Sequence, residues 1–271
     1  MLTRALLISG MASGSNRAIL EGSNWEDHVP QLAEGLRIYA IGDVHGRADL
    51  LERLFALIDA DIEQRPVERA IQVMLGDYVD RGPASREVID LILARAERHE
   101  LVALKGNHDA LLLQAIDDPA AMGDWLMMYG IETLASYGLT SATVAGSRLS
   151  DLGRAFAAAL PEAHRKFFRE LKLSYSHGDF FFVHAGVRPG IDLSLQAEED
   201  LIWIRQEFLR YGGDFGKIVV HGHSPVRDVE RHANRIAIDT AAYASGKLTA
   251  IVIEGSDLRI IDTAEADAHA A

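Results

Sequence analysis

The chain has 271 residues, 48% hydrophobic and 25% charged, enough for one large domain with a sizeable core. A formal net charge of −13 leaves no basic field for nucleic acid or an anionic membrane, although bound cations can reverse the sign locally for a phosphorylated substrate. Without cysteine there are no disulfides or thiolate metal sites, so any metal falls to His, Asp, Asn or Glu, donors suited to Mn, Fe, Zn or Mg.

Residues 1–35 read as a weakly ordered N-terminal extension in which Met11 is an alternative start. Its apolar run over 5–8 is too short for a signal-peptide core. No run approaches the roughly 20 apolar residues of a membrane span, and a cytoplasmic location is expected. From Arg37 the pattern alternates. A strand is predicted over 37–43, then a helix carrying Leu50, Leu54, Leu57 and Ile58 at helical spacing. Further strands follow at 70–77 and 100–107, with a helix over 85–99 between them. This β-α-β-α-β order predicts parallel strands covered by helices. Residues of about 110–172, rich in Ala, Leu and Met and broken at Asp118-Pro119 and Leu160-Pro161, read as a helical cap. Trp125, Met127 and Met128 are expected to pack its core rather than form a contact surface. Strands return at 179–186, 217–223, 235–240, 248–253 and 258–262, close enough together to suggest antiparallel neighbours and a second sheet. The domain thus spans 36–262, and 263–271 read as a disordered tail.

Five of the apolar runs end alike. They give Gly42-Asp43-Val44-His45-Gly46, Gly76-Asp77-Tyr78-Val79-Asp80-Arg81-Gly82, Gly106-Asn107-His108-Asp109, His184-Ala185-Gly186 and His221-Gly222-His223-Ser224-Pro225. In an open α/β sheet ligands bind at the carboxyl ends of strands, so these five ends would converge on one crevice. Each motif alone has an ordinary structural reading. Asp-x-His can be a turn, Asn-His-Asp can cap a helix, His184 can be a core histidine, and His-Gly-His can be a tight turn. Together they assemble hard-metal ligands, which unrelated turns rarely do.

These motifs resemble the signature of the calcineurin-like metallophosphoesterases and, more narrowly, of the phosphoprotein phosphatase branch (bacterial serine/threonine protein phosphatases). The resemblance runs from about Arg37 to Ile253 in the right order. One departure is Asp109, where many members carry Glu; the position is not expected to touch metal. The resemblance implies an α/β fold, a four-layer α/β/β/α sandwich of sheets flanked by helices with the cap inserted. It also implies two divalent metal ions, manganese first and Fe, Zn or Mg as alternatives. Asp43 and His45 would hold one, Asp77 would bridge, and Asn107, His184 and His223 would complete the other. A hydroxide between the ions would attack the phosphoryl group. His108, directly after Asn107, is the candidate general acid, with Asp80 orienting it and raising its pKa. Arg81 is a natural phosphate clamp because its planar fork matches phosphate oxygens. Arg205 in Trp203-Ile204-Arg205 resembles a second phosphate arginine, although W-x-R on an amphipathic helix could equally be a surface ion pair. Asn107 would also face the phosphate. Arg47 and His221 lie near the motifs and are assigned no role.

The expected substrates are phosphoserine or phosphothreonine proteins or small phosphate esters. A dinucleoside polyphosphate such as diadenosine tetraphosphate is the alternative, and a metal-bound scaffold without catalysis a distant third. Asp80 favours the first, since relatives of the symmetrical diadenosine tetraphosphate hydrolase type lack that aspartate. Oligomeric state is unreadable from the sequence.

Overall fold

The first strand, β1 (Leu36–Ile41), alternates strictly. Ile38 and Ala40 enter one buried cluster, and Tyr39 and Ile41 enter another. A strand buried on both faces belongs inside a layered structure. A computed structural model, which describes residues 29–264, supplies the layers. After α1 (Ala48–Gln64), β2 (Arg69–Met74) pairs in parallel with β1; after α2 (Ser85–Ala96), β3 (Glu100–Ala103) pairs in parallel with β2. The cap follows as α3 (Asn107–Asp117), α4 (Pro119–Met127), α5 (Ile131–Ser136), α6 (Ser141–Gly146), α7 (Leu149–Ala159) and α8 (Glu162–Glu170). Its apolar side joins the Tyr39 cluster through Trp125, Phe156 and Phe168, so the cap is packed onto the first sheet's outer layer.

The chain then builds a second sheet from β4 (Ser174–His177) and β5 (Phe180–Val183). It continues through α9 (Glu198–Trp203) and α10 (Gln206–Leu209) to β6 (Ile218–His221), β7 (Glu230–Arg231) and β8 (Arg235–Ala237). Past α11 (Ala242–Ser245), β9 (Thr249–Glu254) and β10 (Asp257–Asp262) return to the first sheet. The strand orders are β10-β9-β1-β2-β3 and β4-β5-β6-β8-β7. Phe180 and Phe182 of β5 face Ile38, Ala40 and Ile251 between the sheets, whereas Phe181 and Val183 face Leu201, Ile202 and Phe208 of α9 and α10. Helices, sheet, sheet and helices are therefore the four layers, as the motifs implied.

Three local expectations differ. The second sheet is not antiparallel at its centre: β5, β6 and β8 run parallel, because α9 and α10 carry the β5–β6 crossover. The antiparallel pair β9 and β10 closes the first sheet instead. Strand β4 and the two-residue β7 are additional; β4 is only partly buried and lacks a clean apolar alternation. At the chain ends, residues 1–28 and 265–271 lie outside the described residues. Residues 29–35 pack on the sandwich: Leu32 is buried, and its N–H donates to the Gly255 carbonyl at 2.9 Å. Thr263 is also buried and bonded to Leu248. Among the described residues no helix is long and apolar enough to cross a membrane.

Candidate metal centre

The carboxyl ends of β1, β2, β5 and β6 and the start of α3 meet in one place. The turns there are tight enough to force left-handed backbone on His45, Asp77, Asp80, Arg81 and His223, at φ of 46° to 70°. Such clusters of unfavourable backbone mark sites whose surroundings hold them in place. Two glycines explain the closeness. A Cβ on Gly106 would collide with the Asp77 carboxylate, and one on Gly222 with that of Asp43.

The hydrogen bonds fix which ring nitrogens face inward. Carbonyls only accept, so His45 Nδ1–H donates to Val79 O at 2.8 Å and His184 Nδ1–H to Leu75 O at 2.9 Å. Their Nε2 lone pairs then each lie 3.5 Å from Asp77 Oδ2. Asn107 Oδ1, another acceptor, sits 3.0 Å from His184 Nε2. Acceptors facing acceptors across such gaps are what a cation resolves. Ligand atoms of His45, Asp77 and His108, and of Asp77, His184 and His223, lie within 4.8 Å of one another. Two further buried atoms, Asp43 Oδ1 and His223 Nε2, have no hydrogen-bond partner. Asp43 is held by its other oxygen, which accepts from the His223 N–H at 3.0 Å. The two donor groups, with Asp77 common to both, thus fit a divalent metal centre.

The electrostatics agree. Burial, reinforced by Asp239 and Asp77, pushes the Asp43 carboxyl well above its ordinary range. Burial also raises Asp77, but the histidines around it, His184 and His108 first, oppose this and the net direction is down. Burial holds His45 down at about 3 and His223 at about 2, both in the neutral form that ligates. Several buried carboxyls with no cation of their own call for imported positive charge.

Beside this cluster His108 Nδ1 lies 2.7 Å from Asp80 Oδ2. Burial lowers the His108 pKa, yet the Asp77 charge and the Asp80 bond more than offset it, and the net direction is up. Asp80 is otherwise saturated: Trp125 Nε1–H donates to it at 2.9 Å and Thr133 Oγ1–H at 2.6 Å. Asp109 stays off the ligand atoms and accepts instead from the backbone N–H groups of Gly106, Asp77 and Tyr78. It locks two ligand-bearing turns together.

Arg81 lies at the mouth with its guanidinium 4.8 Å from the Tyr129 ring centroid and 4.6 Å from that of Tyr243. Arg205 is exposed, and its charge depresses the pKa of His184 and His223 as a minor cause. It is not on a helix as expected: α9 stops at Trp203 and Arg205 precedes α10, with Ile204 buried in between. Arg47 is engaged by Asp49 and the Ala242 carbonyl, and His221 bonds Gly222 O under Phe208. Of the cap residues, Trp125 is fully buried as expected, while Met127 is 86% exposed. Sequence reasoning passed over Asp239, a buried acid at the end of β8 that raises the Asp43 carboxyl. Its strand-terminal position was the available signal. Thr133, Tyr129 and Tyr243 carry no such signal, because only the packed cap and α11 bring them here.

A family model described as calcineurin-like phosphoesterase matches residues 36–253. The chain is 25% identical over 233 residues to bis(5'-nucleosyl)-tetraphosphatase PrpE [asymmetrical] of Anoxybacillus flavithermus, covering 78% of this chain and 88% of that protein. It is also 25% identical over 233 residues to serine/threonine-protein phosphatase 2 of Escherichia coli, covering 78% and 90%. The solved cold-active protein-tyrosine phosphatase of Shewanella sp. shares the fold, with a TM-score of 0.53 and 16% identity over 85% of this chain and 80% of that one.

Proposed function

We propose that this chain, which belongs to the calcineurin-like phosphoesterase family, hydrolyses phosphate monoesters with poor leaving groups, phosphoserine and phosphothreonine proteins first among them. The observation that supports this reading is the buried His108–Asp80 pair at 2.7 Å. A serine or threonine alkoxide needs a proton as it departs, and a histidine kept protonated by an adjacent carboxylate can give one. Nδ1–H stays on Asp80, so the proton delivered to the leaving oxygen is the one on Nε2. Asp43, His45, Asp77, Asn107, His184 and His223 would hold two divalent cations, with manganese our assignment among ions that take oxygen and imidazole ligands. Such cations supply Lewis-acid polarisation of the phosphoryl group and a nucleophile at neutral pH. Arg81 would grip the phosphoryl oxygens with its fork, Arg205 and Asn107 assisting.

A second reading, hydrolysis of dinucleoside polyphosphates, is favoured by the likeness to PrpE, which spans as much of the chain as the likeness to phosphatase 2. A nucleotide is a better leaving group and asks less of an acid, so His108–Asp80 weighs toward the monoester. The test is kcat/KM of the Mn²⁺-loaded protein for a phosphothreonyl peptide against diadenosine tetraphosphate. The peptide is expected to be preferred; preference for the nucleotide would reverse the assignment.

A further inference from the structure

Helix α4 ends in a Schellman-type turn, in which Gly130 N–H donates to Trp125 O at 3.1 Å. The residue at the left-handed position of that turn is normally Gly or Asn. Here it is Tyr129, at φ 77°. A bulky residue in that conformation is a genuine outlier and works against local stability. Its side chain is also 56% exposed, so burial does not compensate for the strain. What Tyr129 does reach is Arg81. Its ring centroid lies 4.8 Å from the guanidinium carbon, that of Tyr243 lies 4.6 Å from it, and the Arg81 backbone N–H points at the Tyr129 carbonyl at 3.4 Å. Two rings against one guanidinium restrict it and leave the N–H edge of the fork for a ligand. Arg81 Nε is buried without a hydrogen-bond partner, so an acceptor is missing along that edge.

We propose that Tyr129 is a positioning residue: a strained aromatic that, with Tyr243, holds the Arg81 guanidinium in place and so prepares it for a phosphoryl oxyanion. The proposal rests on the reading of Arg81 as phosphate-binding. An unrestrained arginine loses rotamer freedom each time it binds, whereas one held against two rings has lost it in advance. The cap thereby sets phosphate affinity through one residue at the end of α4, without touching phosphate itself.

The test is calorimetric binding of inorganic phosphate to the Mn²⁺-loaded protein, together with melting temperature. Tyr129→Leu should weaken phosphate binding about threefold to tenfold, the size of a partly exposed cation–π contact. Tyr129→Phe should keep wild-type affinity, since the ring and not the hydroxyl covers Arg81. Tyr129→Gly should weaken binding as Leu does, while the melting temperature holds or rises by up to about 4 °C as the strained backbone relaxes. Wild-type affinity in the Leu and Gly variants, or equal weakening in Phe and Leu, would overturn the proposal. Arg81→Lys separates the clamp from the phosphate role of Arg81. If it costs tenfold or more while Tyr129→Leu costs nothing, the clamp alone is wrong. If Arg81→Lys leaves phosphate binding intact, the phosphate role of Arg81 falls and the clamp falls with it.

Discussion

Asp80 carries more bonds than any other carboxylate at the site, accepting from His108, Trp125 and Thr133 at once. Each donor fixes its orientation, so His108 meets a stationary partner. That arrangement has a measurable pH signature in protein stripped of metal. His108 titrates above its ordinary 6.5, because Asp77 and Asp80 outweigh burial, and burial pushes the Asp109 carboxyl up to about 8. Both groups bind more protons folded than unfolded between pH 6.5 and 8, so stability falls as pH rises through that window. Below 6.5 the buried histidines held low, His45 and His223, act in the opposite sense and blur the trend. The chelator-treated protein should therefore melt lower at pH 8.5 than at 6.5, and a flat profile would contradict the assigned shifts. The ligand-type residues were legible in the sequence because they close apolar runs, all but His184 directly beside a glycine. Asp239 closes one too, but without the glycine, and it was missed. Tyr129 was invisible in its role, since nothing local announces a left-handed tyrosine that reaches across to Arg81.

Helices of the cap reach the site through a few side chains. Trp125 on α4 and Thr133 on α5 bond Asp80, while Tyr137 and Asp90 hold the two ring nitrogens of the buried His164, joining α8 to α2. The cap is thus wired to His108 through Asp80. Replacing Thr133 by Val keeps the shape but leaves the Asp80 oxygen and the Asp80 N–H one partner short. Trp125 and Ser85 still serve those two atoms, so each lost hydrogen bond costs about 0.5–1.5 kcal/mol, which should appear as lost stability in urea unfolding. Turnover of a phosphothreonyl peptide should fall more than that of 4-nitrophenyl phosphate, whose leaving group needs no proton. Equal loss on both substrates would mean that Thr133 supports only the fold. At this scale the sequence conveyed the helical character of 110–172 and the Asp118-Pro119 break, because propensity and proline act locally. It missed where α9 ends, since Trp203-Ile204-Arg205 has helical composition and only the burial of Ile204 turns the chain.

The whole molecule is two sheets stacked so that their strands deliver side chains to a common rim. Alternation in β1, β5, β6 and β9 places one residue set between the sheets and the other against helices, whereas the four layers were anticipated from the resemblance carried by the strand-end motifs. Strand order was less legible. Parallel or antiparallel pairing depends on which edge a returning strand meets, and β9 closing the first sheet is decided by packing rather than by its own sequence. The acidic chain, at −13, gathers Asp43, Asp77 and Asp239 at this rim, where imported cations would convert an acidic crevice into one that accepts phosphate. The most direct measurement of that claim is elemental analysis of the protein after Mn²⁺ loading and desalting, wild type beside Asp77→Asn. About two ions per chain are expected in the wild type, with a loss of at least one when the shared carboxylate is removed. Two ions retained in Asp77→Asn, or none in the folded wild type, would contradict it.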